Sequence, residues 1–375
     1  MQSTPEKVLF ITDGAYIDYE IAGGVQLCTQ EFITYFETAG YVINIFKVQP
    51  EITVAKKIKI KLDIEVYSIY EVGKYLAQII DTIKTNNIKL VLFNQINIAH
   101  WATAIKNRLP ADVRFIALSH GNESGDYLHH VAYNHQNSFI KTWRLGRLLI
   151  REKQIFSTLD GVIAISRQEE YINSWIGAQE VLYLPRILNP AFINWQQNTN
   201  RVGFVGTLDH LPNLDGIKRL AEELKKQNFQ SEFVLVGGPE NSGRQLAQSY
   251  PFIKYKGRLS SHELENEVKT WAVFLNPVFW YARGASTKLA QAINWGLPVI
   301  TTPAGARGYD LADGIIITGD NSPATFAGAV MRALNAPECL NTLKASSEIN
   351  SKSFKIKPWA DKLHSFISNI KSINS

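Results

Sequence analysis

The sequence predicts an α/β protein of two doubly wound domains, each a parallel sheet covered by helices on both faces. Short apolar runs alternate with helix-length amphipathic segments along most of the chain, the pattern of parallel strands and their crossovers. That rhythm lapses once, between Pro185 and Asn200, where two prolines and a polar run precede a fresh apolar strand and read as a linker. At 375 residues, the chain also exceeds what one ordinary core encloses.

Before the lapse, strands are expected at Lys7–Thr12, Tyr41–Lys47, Lys89–Asn94, Arg114–Ser119 and Gly161–Ile165, with helices such as Val72–Lys84 and Phe139–Phe156 between them. After it the same rhythm restarts, with strands at Arg201–Val205, Glu232–Val236, Ile253–Lys256, Val273–Asn276 and Pro298–Thr302. The domains therefore fall at residues 1–188 and 189–354. Open α/β sheets bind ligands outside the carboxyl ends of their strands, so a ligand held between two facing sheets is the expected geometry.

Composition narrows the class. The chain is 45% hydrophobic and 19% charged, as globular proteins are, and its net charge of +5 suits an anionic nucleotide or lipid surface. That charge is too small to argue for nucleic acid. Cys28 and Cys339 form no disulfide framework and read as reduced thiols of a cytoplasmic protein. The strand Val8–Ile11 begins with no basic, apolar leader before it, and no apolar run is long enough to span a bilayer. Membrane contact, if any, is peripheral.

The stretch Pro277–Gly308 carries the most chemistry. A buried strand ends at Asn276-Pro277, a loop reaches Gly284, and a helix is expected to start near Ala285. Free amides at a helix start, with the helix dipole, bind anions. Ser286 and Thr287 add hydroxyls there. Lys288 puts a cation in the first turn, where it is unfavourable for the helix alone; a bound diphosphate would account for it, whereas the alternative is a side chain that snorkels to solvent.

Lys288-Leu-Ala-Gln-Ala-Ile-Asn-Trp-Gly-Leu-Pro-Val-Ile-Thr-Thr resembles the donor-site segment of the retaining GT-B glycosyltransferases of family 4, with the form K-x-x-E-A-x-x-x-G-x-P-V-[IV]-x-[ST]. Val202-Gly-Phe-Val-Gly-Thr-Leu-Asp-His-Leu-Pro-Asn is similar to the segment that opens the second domain of that group. The resemblance implies the GT-B fold: two facing Rossmann-like domains, with a C-terminal helix, residues 355–375, crossing back to the first. It implies an acceptor domain at 1–188 and a nucleotide-sugar domain at 189–354. It implies Lys288 on the diphosphate, residue 291 at the ribose, and a donor loop of Gly284, Ala285, Ser286 and Thr287. Gly206 and Thr207 follow the first strand of that domain, and the turn Gly257-Arg258-Leu259 borders the base. In the first domain, Gly23 and Gly24 lie near diphosphate and acceptor, and His120 lies near the transferred sugar.

Two positions depart from the family. Gln291 stands where Glu is usual, and Arg283 stands where another Glu contacts the donor sugar. Arg283 leaves three readings: a different loop register, a donor sugar with an acidic group, or lost catalysis. The function implied is transfer of a sugar, with retention, from a nucleoside diphosphate sugar (UDP or GDP) to a glycan, lipid-linked or small-molecule acceptor. No further cofactor and no metal is implied. The alternative is an inactive homologue that binds sugar or nucleotide as a partner protein.

Two other features stay open on sequence grounds. His129, His130 and His135 with Glu123 and Asp126 match no metal-binding spacing. On Phe139–Phe156, Arg144, Arg147 and Arg151 share a helical face, which reads as a solvated face or as a membrane-docking one.

Overall fold

Apolar runs without alternation need cover on both faces, and the strands that form the middle of both sheets are buried almost throughout. The computed structural model describes residues 5–20, 23–61, 69–133, 139–196, 198, 200–281, 283–311 and 316–372. They divide into two units, residues 1–186 with 355–375 and residues 187–354.

The first unit runs β1 (Lys7–Asp13), α1 (Gly24–Thr38), β2 (Val42–Val48), α2 (Val54–Lys61), α3 (Val72–Thr85), β3 (Leu90–Asn94), α4 (Ile96–Ala99), α5 (Ala102–Lys106) and β4 (Arg114–Leu118). It continues through α6 (Glu123–Tyr133), α7 (Phe139–Phe156), β5 (Gly161–Ala164), α8 (Arg167–Ile176) and β6 (Val181–Tyr183). Its sheet has the order β2-β1-β3-β4-β5-β6, parallel throughout.

The second unit runs β7 (Arg201–Val205), α9 (Leu211–Lys226), β8 (Glu232–Val236), α10 (Glu240–Ser249), β9 (Ile253–Tyr255), α11 (Ser261–Val268), β10 (Val273–Asn276) and α12 (Thr287–Asn294). There follow β11 (Val299–Thr301), α13 (Pro303–Ala306), β12 (Ile316–Ile317), α14 (Pro323–Asn335) and α15 (Pro337–Ser353). Its parallel sheet has the order β12-β11-β10-β7-β8-β9.

The first unit ends at Arg186 rather than at residue 188. Its last residues are pinned to α1: the Arg186 guanidinium pairs with both carboxylate oxygens of Glu31, and Tyr35 donates to the Pro185 carbonyl at 2.8 Å. The terminal helix, α16 (Ile356–Ser372), returns to this unit and packs against α1. Ala360, Leu363, Ile367 and Ile370 recur at helical spacing and are buried, while Trp359 meets Tyr183 edge-on and His364 lies beside Tyr41. Cys28 and Cys339 carry free thiols, one on each unit, and burial pushes the Cys28 thiol up to about 12.

Because Leu363 is fully buried, Leu363→Ala should destabilise the first unit by about 2–5 kcal/mol. A urea titration followed by near-UV circular dichroism would register this as an earlier transition; an unmoved midpoint would mean that α16 contributes no core.

Candidate functional site

Parallel strands deliver their carboxyl ends to one edge of a sheet, and the residues singled out by sequence gather at that edge in each unit. In the second unit, β7, β8 and β9 end in glycine turns. Gly206 N donates to the Val236 carbonyl at 2.9 Å, Gly237 N to the Gly257 carbonyl at 2.8 Å, and Tyr255 Oη to the Gly237 carbonyl at 2.9 Å. The backbones approach so closely that a Cβ at Gly237, whose φ is +135°, would lie 1.9 Å from the Gly206 oxygen. A Cβ at Gly206 would lie 2.7 Å from Lys288 Cδ.

That missing side chain makes room for Lys288. Its Nζ donates to Asn213 Oδ1 at 2.6 Å and lies 5.0 Å from the centre of the Phe204 ring. Asn213 in turn donates from Nδ2 to the Thr207 carbonyl at 2.7 Å, so α9 ties the lysine to the Gly206-Thr207 turn. Burial, and after it the positive charge of Arg307, push the Lys288 ammonium down to about 7. No carboxylate is among the groups that set this value. A buried ammonium with a second positive charge acting on it is a group that a bound anion would stabilise.

The helix that carries Lys288 starts two residues later than the sequence suggested. Ser286 is the N-cap: its hydroxyl oxygen accepts from Leu289 N at 3.4 Å and it donates to Asn276 Oδ1 at 3.3 Å. Asn276, at the end of β10, donates to Thr301 Oγ1 at 2.9 Å and to the Gly305 carbonyl at 3.2 Å. Tyr309 Oη donates to the Ser286 carbonyl at 2.7 Å. The Ser286 hydroxyl is thus spent on holding the helix start, and Gly284, buried at φ +72°, turns the chain into it. Ala285 and Thr287 flank that cap, both partly exposed.

Gln291 is exposed on α12, and Arg283 is exposed ahead of Gly284. Arg307 donates to the Ala304 carbonyl at 2.6 Å and to the Arg283 carbonyl at 3.3 Å, so it borders the loop that leads through Gly284 into α12. Gly257 sits at φ +73°; Arg258 reaches back beside Gly238, and Leu259 packs on the core under β8 and β10.

In the first unit, Gly23 is the N-cap of α1 and Gly24 its first residue, both exposed, with Gly23 N donating to Gln26 Oε1 at 3.1 Å. His120 follows β4. Its Nε2 lies 2.6 Å from Oδ1 of Asn94, which ends β3, and Phe32 of α1 meets the ring edge-on at 5.5 Å. Gly23, Gly24 and His120 therefore share the carboxyl edge of the first sheet, on α1 and β4. Of the histidine and acid cluster, His135 and the side chain of His130 lie outside the described residues. Among the described residues no group of three or more His, Cys, Asp or Glu is placed to hold a metal ion.

Sequence reasoning passed over Asn213, Arg307 and Asn94. Asn213 had a signal, since it follows Pro212 in the quoted segment; Arg307 and Asn94 reach their partners only through the fold.

Residues 199–336 match the family model of group 1 glycosyl transferases. The whole chain is similar in structure to sucrose-phosphate synthase from Thermosynechococcus elongatus, at 16% identity and a TM-score of 0.70 over 97% of this chain and 99% of that one. It is similar to Anabaena HepE, solved with UDP and glucose, at 13% identity and a TM-score of 0.63 over 97% and 100%. WaaG, a glycosyltransferase involved in lipopolysaccharide biosynthesis, aligns at 14% identity and a TM-score of 0.59 over 96% and 99%. No curated protein matches the chain by sequence. The protein has the GT-B fold. The match to group 1 glycosyl transferases lies within its second unit.

A diphosphate at Lys288 would favour the charged ammonium and raise its pKa from about 7. Binding above pH 7 should therefore take up a proton, and affinity for a nucleoside diphosphate should fall as pH rises through 8 and 9. Calorimetry in buffers of different ionisation heat measures the uptake, which Lys288→Met should abolish. In the unliganded protein the sign of the stability effect follows from the unfolded chain holding this proton up to 10.5: stability from Lys288 rises with pH between about 7 and 10.5.

Proposed function

We propose that the protein is a glycosyltransferase that moves a sugar from a nucleoside diphosphate sugar to a glycan, lipid-linked or small-molecule acceptor, with retention of configuration. The observation that carries this reading is Lys288, its ammonium desolvated beside Arg307 at the start of α12, within the group 1 domain. The diphosphate gains charge as it leaves, and Lys288, Arg307 and the amides of the first turn of α12 stabilise that charge in the transition state. Thr287 and the Gly206-Thr207 turn border the phosphates, Gly257-Arg258-Leu259 borders the base, and Gln291 takes the ribose. His120, Gly23 and Gly24 serve the sugar and acceptor. UDP or GDP is the nucleotide, and no metal or further cofactor takes part. HepE was solved with UDP and glucose, which supports a uridine nucleotide here.

The nucleotide is identified by thermal unfolding against UDP, GDP, ADP, dTDP and CMP; a ligand at about 100 times its dissociation constant stabilises by about 2.7 kcal/mol. With that donor, Lys288→Ala should lower turnover at least about tenfold while the unfolding transition is kept. Unchanged turnover would remove Lys288 from the chemistry. Binding without release of nucleoside diphosphate under any acceptor would favour a sugar- or nucleotide-binding partner protein, the reading that Arg283 and Gln291 support.

The acceptor side of the protein meets an anionic membrane surface through α7. Leu148, Glu152, Ile155 and Phe156 of this helix are buried, and the opposite stripe exposes Phe139, Ile140, Trp143 and Ile150. Arg147 stacks on Trp143 within that stripe, at 5.5 Å, and Arg151 adjoins Ile150. Aromatic and aliphatic groups interleaved with arginine suit an interfacial helix. Among the described residues no helix is long and apolar enough to cross a membrane. A variant with Ile140→Glu and Ile150→Glu should no longer sediment with phosphatidylglycerol vesicles that carry down the parent; equal sedimentation would remove α7 from membrane contact.

A further inference from the structure

The hydrogen bonds around Asn94 leave its partner histidine one neutral form. Thr12 donates its hydroxyl hydrogen to the Asp13 carbonyl at 3.3 Å, so toward Asn94 its oxygen only accepts. The 2.8 Å contact between them is therefore Asn94 Nδ2 donating, and the second amide hydrogen goes to Thr29 Oγ1 at 2.9 Å. Both donors of the amide are used. The atom that faces His120 Nε2 at 2.6 Å is then Oδ1, which accepts only.

We propose that Asn94 is a positioning residue that fixes the tautomer of His120, with the proton on Nε2 and the lone pair on Nδ1. That the ring so held serves the sugar rests on the proposed function; the tautomer does not. Asn94 is fully buried and its register against β4 places it opposite Leu118, two residues before the histidine. Phe32 packs edge-on against the ring and holds its plane. The backbone turns sharply at this point: Gln95 sits at φ +103°, a conformation L-residues rarely adopt, and its N–H donates to the Leu118 carbonyl at 3.0 Å. Strain of this kind persists only where surrounding contacts hold it, and here it aims the Asn94 amide across β1, α1 and the β4 loop.

The test is long-range proton–nitrogen NMR of the full-length protein labelled in histidine, with His120 assigned by its loss in His120→Gln. The expected spectrum shows Nε2 protonated and Nδ1 imine-like; a wild-type ring protonated on Nδ1 overturns the proposal. In Asn94→Leu the tautomers should mix, and kcat should fall about 10–100-fold with little change in KM for the donor. A folded Asn94→Leu protein with an unmoved tautomer overturns it too. Asn94→Asp keeps an acceptor toward the ring at nearly the same volume, so it serves where the leucine variant does not fold. Its carboxylate should hold both ring nitrogens protonated at a pH where the wild-type ring is neutral, and an unaltered ring there overturns the proposal. A correct tautomer in a protein without transferase activity would instead sink the functional reading and leave the role of Asn94 standing.

Discussion

Lys288 can hold its ammonium 2.6 Å from Asn213 only because position 206 has no side chain. A single methyl group there would meet the lysine stem, and one at 237 would meet the Gly206 carbonyl. The second unit's edge is therefore assembled around a space that its backbone leaves open. The β7 turn is bonded to the end of β8, β8 to the β9 turn, and α9 supplies Asn213 to both the lysine and the Thr207 carbonyl. A charge that burial alone would discourage is kept in place by one neutral oxygen and one aromatic face. Such a group is poised for an anion, because an anion supplies the interaction that the resting site withholds.

Local signals were legible and non-local ones were not. Five strands of each sheet, the proline-bearing linker and the Lys288 segment could be read because each depends on residues within a few positions of one another; the short edge strands β6 and β12 carry too few residues to show a pattern and were not expected. The start of α12 could have been read two residues later, since a serine before a helical run is the commoner N-cap than a glycine loop. Arg307 was out of reach: it lies 19 positions beyond Lys288, and only the adjacency of β10 and β11 brings its charge to bear on the lysine. The period of Phe139–Phe156 located an arginine face but could not say which faces would be covered. Burial of Leu148, Glu152 and Ile155 decided that, and left Trp143 and Ile150 exposed beside the arginines.

The two units solve one problem in the same way. In each sheet the chain lays its early strands to one side of the first strand and then returns to the other side, so the order reverses between β1 and β3 and again between β7 and β10. At such a reversal the connections leave in opposite directions and open a crevice beyond the strand ends, where ligands of open α/β sheets bind. An open crevice exposes strand-end polar groups that need partners. In the first unit Asn94, the last residue of β3, spans the gap by donating to Thr12 and Thr29 while accepting from His120. In the second, Asn276, the last residue of β10, donates to Thr301 and the Gly305 carbonyl while accepting from Ser286.

A side-chain amide suits this place because it gives two hydrogens and takes one or two, all in a plane, without a charge to desolvate. An aspartate there would have to bury a charge, and a leucine would strand both neighbouring hydroxyls. The residue on the accepting side differs between the units, and so does the consequence. Ser286 is a helix cap, so Asn276 fixes where α12 begins and hence where Lys288 points. His120 is a titratable ring with two distinguishable nitrogens, so Asn94 fixes which of them is an acceptor. The same amide at the same place in the topology thus orients a cation in one unit and a proton acceptor in the other, the two kinds of group that the proposed transfer of a sugar from a charged leaving group calls for.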